Sequence, residues 1–485
     1  MTTLKRSKLA EPVLSDGTRL RDLIDHDKHE VALRMLSDPE IYTLELDRLF
    51  ARTWIPVGHE SEIPSTGDFV LRRIGEDPVI VVRQPSGGVE VLLNVCPHRG
   101  MQVCRSESGN APRFRCPYHA WAFGRDGHFL GAPFEKDMYG DALKDNDSVN
   151  LEQARVEMLG GVIFANWDPE APELAEFFGD FKWYLDLILC RTRGGYEVLG
   201  PPQRSIVRSN WKGPAEQGSV DGYHGLGLHR SFSDVGLMQR GTTAAEAGLL
   251  SVDISANGGG IRCMPTQPRF LEALEDGRPY SITVDEAEQL LLAQPPVGMT
   301  PEMVPELREC LTDDQVRVLA GYYPSAGQAF PTFELLHING PVLQDPARSN
   351  LKDRDGANIW AGDLAPTLVL HTWGPRTVDS FEIWTWVLAE RDAPPAMKEA
   401  ARKVAVQTFG SSGTIEMDDG EAWPSQTASA RGAKGRKVTF KYHAFREHTP
   451  PPEWPGPGQV HTGATGDDGQ WQWWQRYFRF MLGEE

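Results

Sequence analysis

Four short stretches between residues 68 and 167 alternate apolar and polar positions, and Gly, Pro or Asp residues separate them. Their sequences are DFVLRRI, PVIVVRQ, VEVLLNV and GGVIFANW. A two-residue period places successive side chains on opposite faces of a strand. We therefore predict a small antiparallel β domain over residues 54–170.

The chain on either side of this segment has mixed helical and strand patterns. FKWYLDLIL, PPAMKEAARKVAVQTFG and the aromatic QWQWWQRYFRFML predict helices, and TLVLHTWGPRTVDSFEIWTWVLAE predicts two long strands joined by a Gly-Pro turn. The predicted fold class is α+β, with the small antiparallel domain inserted in a larger domain whose antiparallel sheet is flanked by helices. Residues 1–53 are the N-terminal helical part of that larger domain, and residues 171–485 are the rest of it.

Composition narrows the function classes. At 485 residues, the chain is long enough for two or three domains. A net charge of −19 argues against nucleic acid and anionic membranes as partners, since both would repel it. Six cysteines do not make a disulfide scaffold. The first residues lack the apolar core of a signal peptide and no apolar run is long enough to span a membrane, so we expect a cytoplasmic protein.

Two Cys/His pairs lie between the predicted strands. Cys96-Pro-His98 and Cys116-Pro-Tyr-His119 each offer one thiol and one imidazole. Two thiolates on one iron and two imidazoles on the other are the ligands of a Rieske [2Fe–2S] cluster. The same atoms could hold zinc in a binding or scaffold protein. Zinc fingers, however, usually pair cysteine with cysteine and histidine with histidine along the chain, whereas each pair here is mixed.

A second set of metal-ligand types lies in residues 210–231. His224 and His229, with a distant carboxylate, would make the 2-His-1-carboxylate triad of non-haem Fe(II) oxygenases. On one straight helix these residues would point about 140° apart, so the helix must end between them, where glycines are suited to a break. The candidate carboxylates are the adjacent Asp418 and Asp419 in EMDDGEAW.

Together these motifs resemble the large (alpha) subunits of Rieske aromatic-ring-hydroxylating dioxygenases, of the naphthalene and biphenyl dioxygenase type. The resemblance covers most of the chain. It is carried by the Cys/His segment and by Asn210-Trp-Lys, Ala215-Glu216, Asp221-x-Tyr-His224-(x4)-His229, Arg52-Thr-Trp54, Gly75-Glu-Asp-Pro-Val79, Phe330-Pro331, Glu416-x-Asp418-Asp419 and the terminal RYFRFM.

The resemblance implies a helix-grip-like catalytic domain and two metal centres. It implies that Cys96, His98, Cys116 and His119 hold the cluster, and that His224, His229 and Asp419 hold the iron, with Asp418 as the other candidate. It also implies that Asp221 links His119 of a neighbouring subunit to His224 and is needed for catalysis.

The family's activity and partners follow from the same resemblance. The chain would insert both atoms of O2 into an aromatic ring to give a cis-dihydrodiol. Electrons would come from NAD(P)H through a reductase or a ferredoxin, and three large subunits would assemble, with small (beta) subunits. The alternative is a Rieske monooxygenase or demethylase acting on an aromatic substrate.

Substrate identity stays open between an aromatic hydrocarbon and an aromatic acid. Gly218 stands where the family often has an aromatic residue. The absence of a side chain at this position would enlarge or reshape the pocket. The pocket candidates are Gln217, Gly218, Leu226, Phe409 and Ile415, and also His337.

Overall fold

The computed structural model describes residues 10–231, 250–278, 282–341, 351–352, 358–360, 364–445, 449–463 and 465–485. These residues form two compact units. One runs from Leu46 to Leu174, and the other contains the described residues up to Glu45 and from Ala175 onward. The smaller unit thus interrupts the sequence of the larger one.

The start of the chain and the smaller unit contain mostly strands. Their elements are β1 (Ile24–Asp25), β2 (Glu30–Ala32), α1 (Pro39–Glu45), β3 (Ile55–His59), β4 (Asp68–Ile74), β5 (Asp77–Arg83), β6 (Val89–Leu93), β7 (Ser108–Asn110), β8 (Phe114–Arg115), β9 (Ala122–Phe123), β10 (Phe129–Gly131), α2 (Glu135–Tyr139), β11 (Gln153–Leu159) and β12 (Val162–Asn166).

The smaller unit is built on a seven-stranded antiparallel sheet in the order β3-β12-β11-β6-β5-β4-β7, with a second small sheet of β8, β9 and β10. The four predicted strands correspond to β4, β5, β6 and β12. Their apolar positions supply a core cluster in which Ile80, Val82 and Leu92 pack with Cys96 and Cys116. The metal-ligand loops are therefore anchored in this core.

The unit begins before the predicted residue 54. A π-helical turn, Leu46–Phe50, packs against the β4–β5 turn at Gly75. A Cβ on Gly75, which has φ +59°, would lie 3.0 Å from the Phe50 Cβ. This close approach requires glycine.

From residue 174 onward the chain alternates helices with a large sheet. The elements are α3 (Leu174–Phe178), α4 (Phe181–Leu189), β13 (Tyr196–Val198), β14 (Gln203–Val207), α5 (Lys212–Gln217), α6 (His224–Gly227), β15 (Val252–Ala256), β16 (Gly259–Pro265), α7 (Pro268–Glu275), α8 (Val284–Ala293), α9 (Val304–Cys310), α10 (Asp313–Gly321), β17 (Tyr322–Ala329), β18 (Phe333–Pro341), β19 (Leu351–Lys352), β20 (Asn358–Trp360), β21 (Leu364–Thr377), β22 (Ser380–Glu390), α11 (Pro395–Phe409), α12 (Glu416–Ala430), β23 (Thr439–Lys441), β24 (Gln459–Thr462) and α13 (Asp468–Leu482).

The large sheet is antiparallel and has the order β13-β22-β21-β18-β17-β16-β15-β24, with β14 also paired to β22. Helix α11 packs on β21 and β22, and α13 packs on β15 and β16. The predicted α+β class, with an antiparallel sheet flanked by helices, is confirmed.

The predicted Gly-Pro turn between the two long strands is wrong. Gly374 and Pro375 lie inside β21, and the turn falls at residues 378–379. β18 pairs with β21 only as far as Thr372, so Pro375 lies beyond the end of that neighbour. Its missing N–H therefore costs no hydrogen bond on that side.

A buried charge cluster fixes the start of α5. The Glu45 carboxylate accepts hydrogen bonds from the Lys212 Nζ (2.5 Å), the Tyr477 hydroxyl (2.5 Å) and the Trp211 Nε1 (2.8 Å). Glu45 and Lys212 are fully buried, and the bonds tie α1 and α13 to the residues that open α5. A buried ion pair is tolerated when hydrogen bonds satisfy its charges in this way.

None of the helices within the described ranges combines the length and the apolar content that crossing a bilayer would require.

Candidate metal centres

Cys96 begins a tight loop that is closed by its own backbone. The Cys96 N–H donates to the Met101 carbonyl at 2.8 Å, and the Gly100 N–H donates to the Cys96 carbonyl at 2.8 Å. Gly100 has φ +74°, the left-handed conformation that lets the chain return. The Cys96 side chain is buried.

Cys116 begins a loop with the same hydrogen bonds. The Cys116 N–H donates to the Trp121 carbonyl at 2.8 Å, and the Ala120 N–H donates to the Cys116 carbonyl at 3.0 Å. Ala120 has φ +58°, although it carries a side chain. The two loops thus have the same pattern of backbone hydrogen bonds, and each has proline directly after its cysteine.

The two loops bring their histidines together. The His98 and His119 ring centres lie 4.6 Å apart, and His98 stacks on Trp121 with an interplanar angle of 7°. The Tyr139 hydroxyl lies 3.5 Å from His98 Nε2. Both imidazoles are half-buried, while the two cysteines belong to the core. The chain therefore presents two buried thiols on one side and two imidazoles toward the surface.

The histidines of the second set also converge. Helix α6 begins at His224 and ends at Gly227, so His229 lies in the turn that follows. The two rings are 5.0 Å apart at 73°. The predicted helix break between them is observed.

Asp419 faces both histidines. Its Oδ1 lies 3.9 Å from His224 Nε2, and its Oδ2 lies 3.6 Å from His229 Nε2. One ligand atom from each of the three residues falls within 4.8 Å of the others, a spacing that could hold one metal ion. Asp418 instead lies 3.3 Å from His229 Nδ1, the other nitrogen of that ring.

Gln217 orients Asp419. Its Nε2 donates to Asp419 Oδ1 at 2.7 Å, and its Oε1 accepts from Trp423 Nε1 at 2.8 Å. Both ends of the amide are therefore used inside the protein. Predicted as a pocket residue, Gln217 lines the cavity and also positions the carboxylate.

Asp221 caps α6 and contacts its first histidine. Its Oδ1 accepts from the His224 N–H at 3.2 Å, and its Oδ2 lies 3.5 Å from His224 Nδ1. Burial opposes ionisation, but the contacts with His224 outweigh it and lower the pKa of Asp221. Val220, directly before it, has φ +74°, which is strained for a β-branched residue. Arg262 donates to the Val220 carbonyl at 3.4 Å.

A second buried acid lies behind Asp221. Burial, reinforced by the charge of Asp221, raises the pKa of Glu216 to about 8. Its Oε2 accepts from the Tyr442 hydroxyl at 3.2 Å, and Trp474 Nε1 donates to that hydroxyl at 2.6 Å.

A cavity of about 180 Å³ opens beside the three converging side chains. Its apolar lining includes the predicted Phe409 and Ile415, and also Leu336 and Trp373. An apolar cavity of about 150 Å³ in another protein binds benzene, so this volume suits a single substituted ring. The predicted Gly218 also lines it.

Two pocket candidates lie elsewhere. Leu226 keeps 44% of its surface exposed, and it is not among the described residues that line the cavity. His337 is buried in the large sheet beside Arg191, where its Nε2 lies 3.1 Å from the Val297 carbonyl. The structure does not bring either residue to the cavity.

Comparison with known proteins places the chain in a family. Residues 53–146 match the model of the Rieske [2Fe-2S] domain. Biphenyl dioxygenase subunit alpha from Paraburkholderia xenovorans (strain LB400) is 33% identical over 456 residues, which cover 90% of this chain and 88% of that protein. The chain belongs to the large subunits of Rieske aromatic-ring-hydroxylating dioxygenases. It is therefore an oxidoreductase with the general role of a terminal oxygenase component, and not a zinc scaffold.

Other relatives match at similar levels. N,N-dimethyl phenylurea N-demethylase subunit alpha from Sphingobium sp. (strain YBL2) is 30% identical over 478 residues, which cover 96% of this chain and 95% of that protein. The crystal structure of naphthalene 1,2-dioxygenase from Rhodococcus sp. bound to indole matches with a TM-score of 0.77 at 32% identity, covering 94% of this chain and 95% of that one.

Several cavity residues of this Rieske oxygenase were missed by sequence reasoning. Glu334, Glu416 and Arg262 line the cavity, and His371 pairs with Glu334 across two strands. Only Glu416 had a local signal, because it precedes Asp419 by three positions and so shares its helix face.

Proposed function

We propose that this chain holds a [2Fe–2S] cluster and a mononuclear Fe(II), and inserts both atoms of O2 into an aromatic ring to give a cis-dihydrodiol. The observation that carries the proposal is the convergence of His224, His229 and Asp419 at a ring-sized cavity. The chain's family membership and its two matched Cys-Pro loops support it.

The side chains fit the proposed groups. Cys96 and Cys116 contact each other through their thiols, and burial raises the pKa of Cys96 so that it stays protonated until metal replaces the proton. They would bind one iron of the cluster, while His98 and His119 would bind the other. His224, His229 and Asp419 would hold the single Fe(II), the donor set expected for such a site.

Bound metals would supply electron storage at the cluster and open coordination positions for dioxygen at the Fe(II). The protein residues position these groups. Asp221 and Asp418 each contact the Nδ1 of one histidine, which leaves both Nε2 atoms directed toward Asp419. Such outer carboxylates fix the tautomer and orientation of a ligating imidazole.

We further propose an assembly in which Asp221 links two subunits. It would bridge the partner subunit's His119 to His224, in a trimer of large subunits that also carries small (beta) subunits. Electrons would come from NAD(P)H through a separate reductase or ferredoxin. The half-buried His98 and His119 rings support the proposed contact with a neighbouring subunit, because they leave the imidazole edge of the cluster site near solvent.

Oxidative N-demethylation is the second candidate function. One relative of 30% identity is named as an N-demethylase subunit alpha. The carboxyl groups in the cavity also favour a nitrogen-bearing substrate over a plain hydrocarbon.

The test is product analysis under dioxygen enriched in the heavy oxygen isotope. Cells would express this subunit with any small subunit encoded beside it and a general ferredoxin–reductase pair, and would receive aromatic hydrocarbons, aromatic acids and aromatic amines. Two labelled oxygens in one product are expected. A single labelled oxygen, or loss of an N-methyl group, would replace dihydroxylation by the second candidate.

A further inference from the structure

Two carboxyl groups in the cavity are outside the proposed ligand set. Glu334 lies on β18, and Glu416 is the first residue of α12. Both line the cavity together with Asp221 and Asp419. The mechanism proposed above gives Glu334 and Glu416 no role.

Among the described residues, one oxygen of Glu334 has a hydrogen-bond partner. Its Oε2 lies 3.0 Å from His371 Nδ1, its direct partner on β21. Its side chain keeps 14% of its surface although it lies inside the protein, because it borders the cavity.

Gly218 leaves the other oxygen of Glu334 uncovered. A Cβ at position 218 would lie 3.0 Å from Glu334 Oε1 and 2.9 Å from Gln328 Oε1. Gly218 has an ordinary φ of −58°, so backbone conformation does not require glycine there. The missing side chain instead leaves space at the carboxyl group.

Glu416 has a buried atom without a partner. Its Oε1 is inaccessible to solvent and accepts no hydrogen bond from any residue that the structure describes. His371 Nε2 is likewise buried and unpaired within the described part of the chain. A buried polar atom without a partner is costly, so a rotation of the Glu416 side chain that brought this oxygen to a donor in the cavity would be favourable.

Little positive charge offsets these acids. Among the described lining residues, Arg262 is the one permanent cation, and it donates two hydrogen bonds to Asp253, at 3.0 and 2.8 Å. Burial raises the pKa of both Glu334 and Glu416 to about 8, so at neutral pH each carboxyl keeps its proton until a cation binds beside it. A divalent ion at the proposed iron site would balance the charges of Asp221 and Asp419, and a further cation would be needed to balance the two glutamates once they are ionised.

We propose that Glu334 and Glu416 form a recognition site for a protonated amine on a single-ring substrate. The ring would contact the apolar wall of Leu336, Trp373 and Phe409, and the ammonium group would donate to the two carboxylates. This deepens the proposed oxygenase function and rests on it. Once both carboxyls are ionised, an aromatic acid is disfavoured, because its carboxylate would meet like charge.

The test compares three ligands of nearly the same shape on the iron-loaded holoenzyme. Benzylamine, toluene and benzoate are titrated by calorimetry at pH 8.5, above the pKa of the two glutamates. One or two charge-assisted hydrogen bonds correspond to about tenfold to hundredfold tighter binding of benzylamine than of toluene, with benzoate the weakest. Equal or weaker binding of benzylamine by the wild-type enzyme would overturn the proposal, and this comparison needs no variant.

Variants separate the carboxylates from coordination of the amine by iron. Glu334→Gln and Glu416→Gln should each lower the benzylamine-to-toluene preference about tenfold or more, with toluene affinity changed less than about twofold. Glu399→Gln, at an exposed position of α11, is the matched control and should retain the full preference. A preference that survives in the Glu334→Gln/Glu416→Gln double variant would assign amine binding to iron and refute the site.

Failure of the oxygenase proposal would look different. Tight benzylamine binding without incorporation of labelled oxygen into any ligand would refute the oxygenase activity but leave the amine site supported. Oxygenation of toluene with no preference for benzylamine would refute the amine site and support the activity.

Discussion

The two adjacent aspartates at the proposed iron site allow a sharply controlled test. Asp419 contacts the Nε2 of both histidines at 3.9 and 3.6 Å, whereas Asp418 contacts only His229 Nδ1 at 3.3 Å. We expect Asp419→Asn to lose the mononuclear iron and Asp418→Asn to retain it at lower affinity. The two substitutions are chemically identical and one residue apart.

The expected magnitudes follow from these positions. Removal of an outer carboxylate from a ligating histidine typically costs about tenfold to hundredfold in metal affinity or activity. Asp418→Asn should fall in this range. Loss of one of three protein ligands should weaken Fe(II) binding well beyond it. An asparagine at 419 can still accept the hydrogen bond from Gln217, so the loss reflects ligation and not unfolding.

The assay is iron content after dialysis against graded Fe(II), measured per cluster. The predicted cluster loops lie in the other unit, so visible absorbance of the cluster normalises each sample. Full iron in Asp419→Asn, or a larger loss in Asp418→Asn, would refute the ligand assignment.

Two further predictions concern acids close to the proposed iron site. Asp221→Asn should leave both metals bound but lower turnover severely, because it removes the carboxylate beside His224. Single-turnover spectra should show a reduced cluster that does not reoxidise when substrate and O2 are added. Normal turnover would exclude Asp221 as the bridge between subunits. Glu216→Gln should change the pH dependence of stability. The pKa of Glu216 is about 8 in the folded state against an ordinary 4.5, so between these pH values the folded protein keeps a proton that the unfolded chain loses. The free energy of unfolding of the wild type therefore falls as pH rises from 4.5 to 8, by up to about 5 kcal/mol. Melting temperatures from pH 5 to 8.5 should therefore fall less in Glu216→Gln than in wild type, and parallel curves would contradict the raised pKa.

Local sequence patterns predicted the features that depend on a short stretch of chain, namely the loops, the helix end and the strands described below. The two Cys-Pro loops were found from spacing alone, because each loop closes on itself within six residues. The His224 and His229 pair was found the same way, and the need for a helix end between them followed from helical geometry. Strands β4, β5 and β6 followed from alternation, since their apolar positions supply the buried side chains of the unit.

Long-range pairing explains the failures. Gly374-Pro375 has the composition of a turn, yet strand β21 continues through it. This is possible because β18 pairs with β21 only as far as Thr372 and so does not face Pro375. No local pattern shows where an adjacent strand stops. The choice between Asp418 and Asp419 was open for a related reason. Consecutive helix residues point in different directions, and only the position of His229 decides which one faces the proposed metal site.

The acidic wall of the cavity shows this limit most clearly. Glu334 and His371 are direct cross-strand partners although 37 residues separate them, and Glu416 reaches the same cavity from a helix. Glu334 and His371 are ordinary polar residues in the sequence, and the motif that contains Glu416 does not show that its side chain lies beside theirs. Gly218, by contrast, was visible as a departure from the family pattern, but its effect was not: its missing side chain uncovers a specific carboxylate oxygen. The proposed metal ligands can thus be inferred from motifs, whereas the proposed substrate preference depends on residues that only the folded sheet and helices bring together.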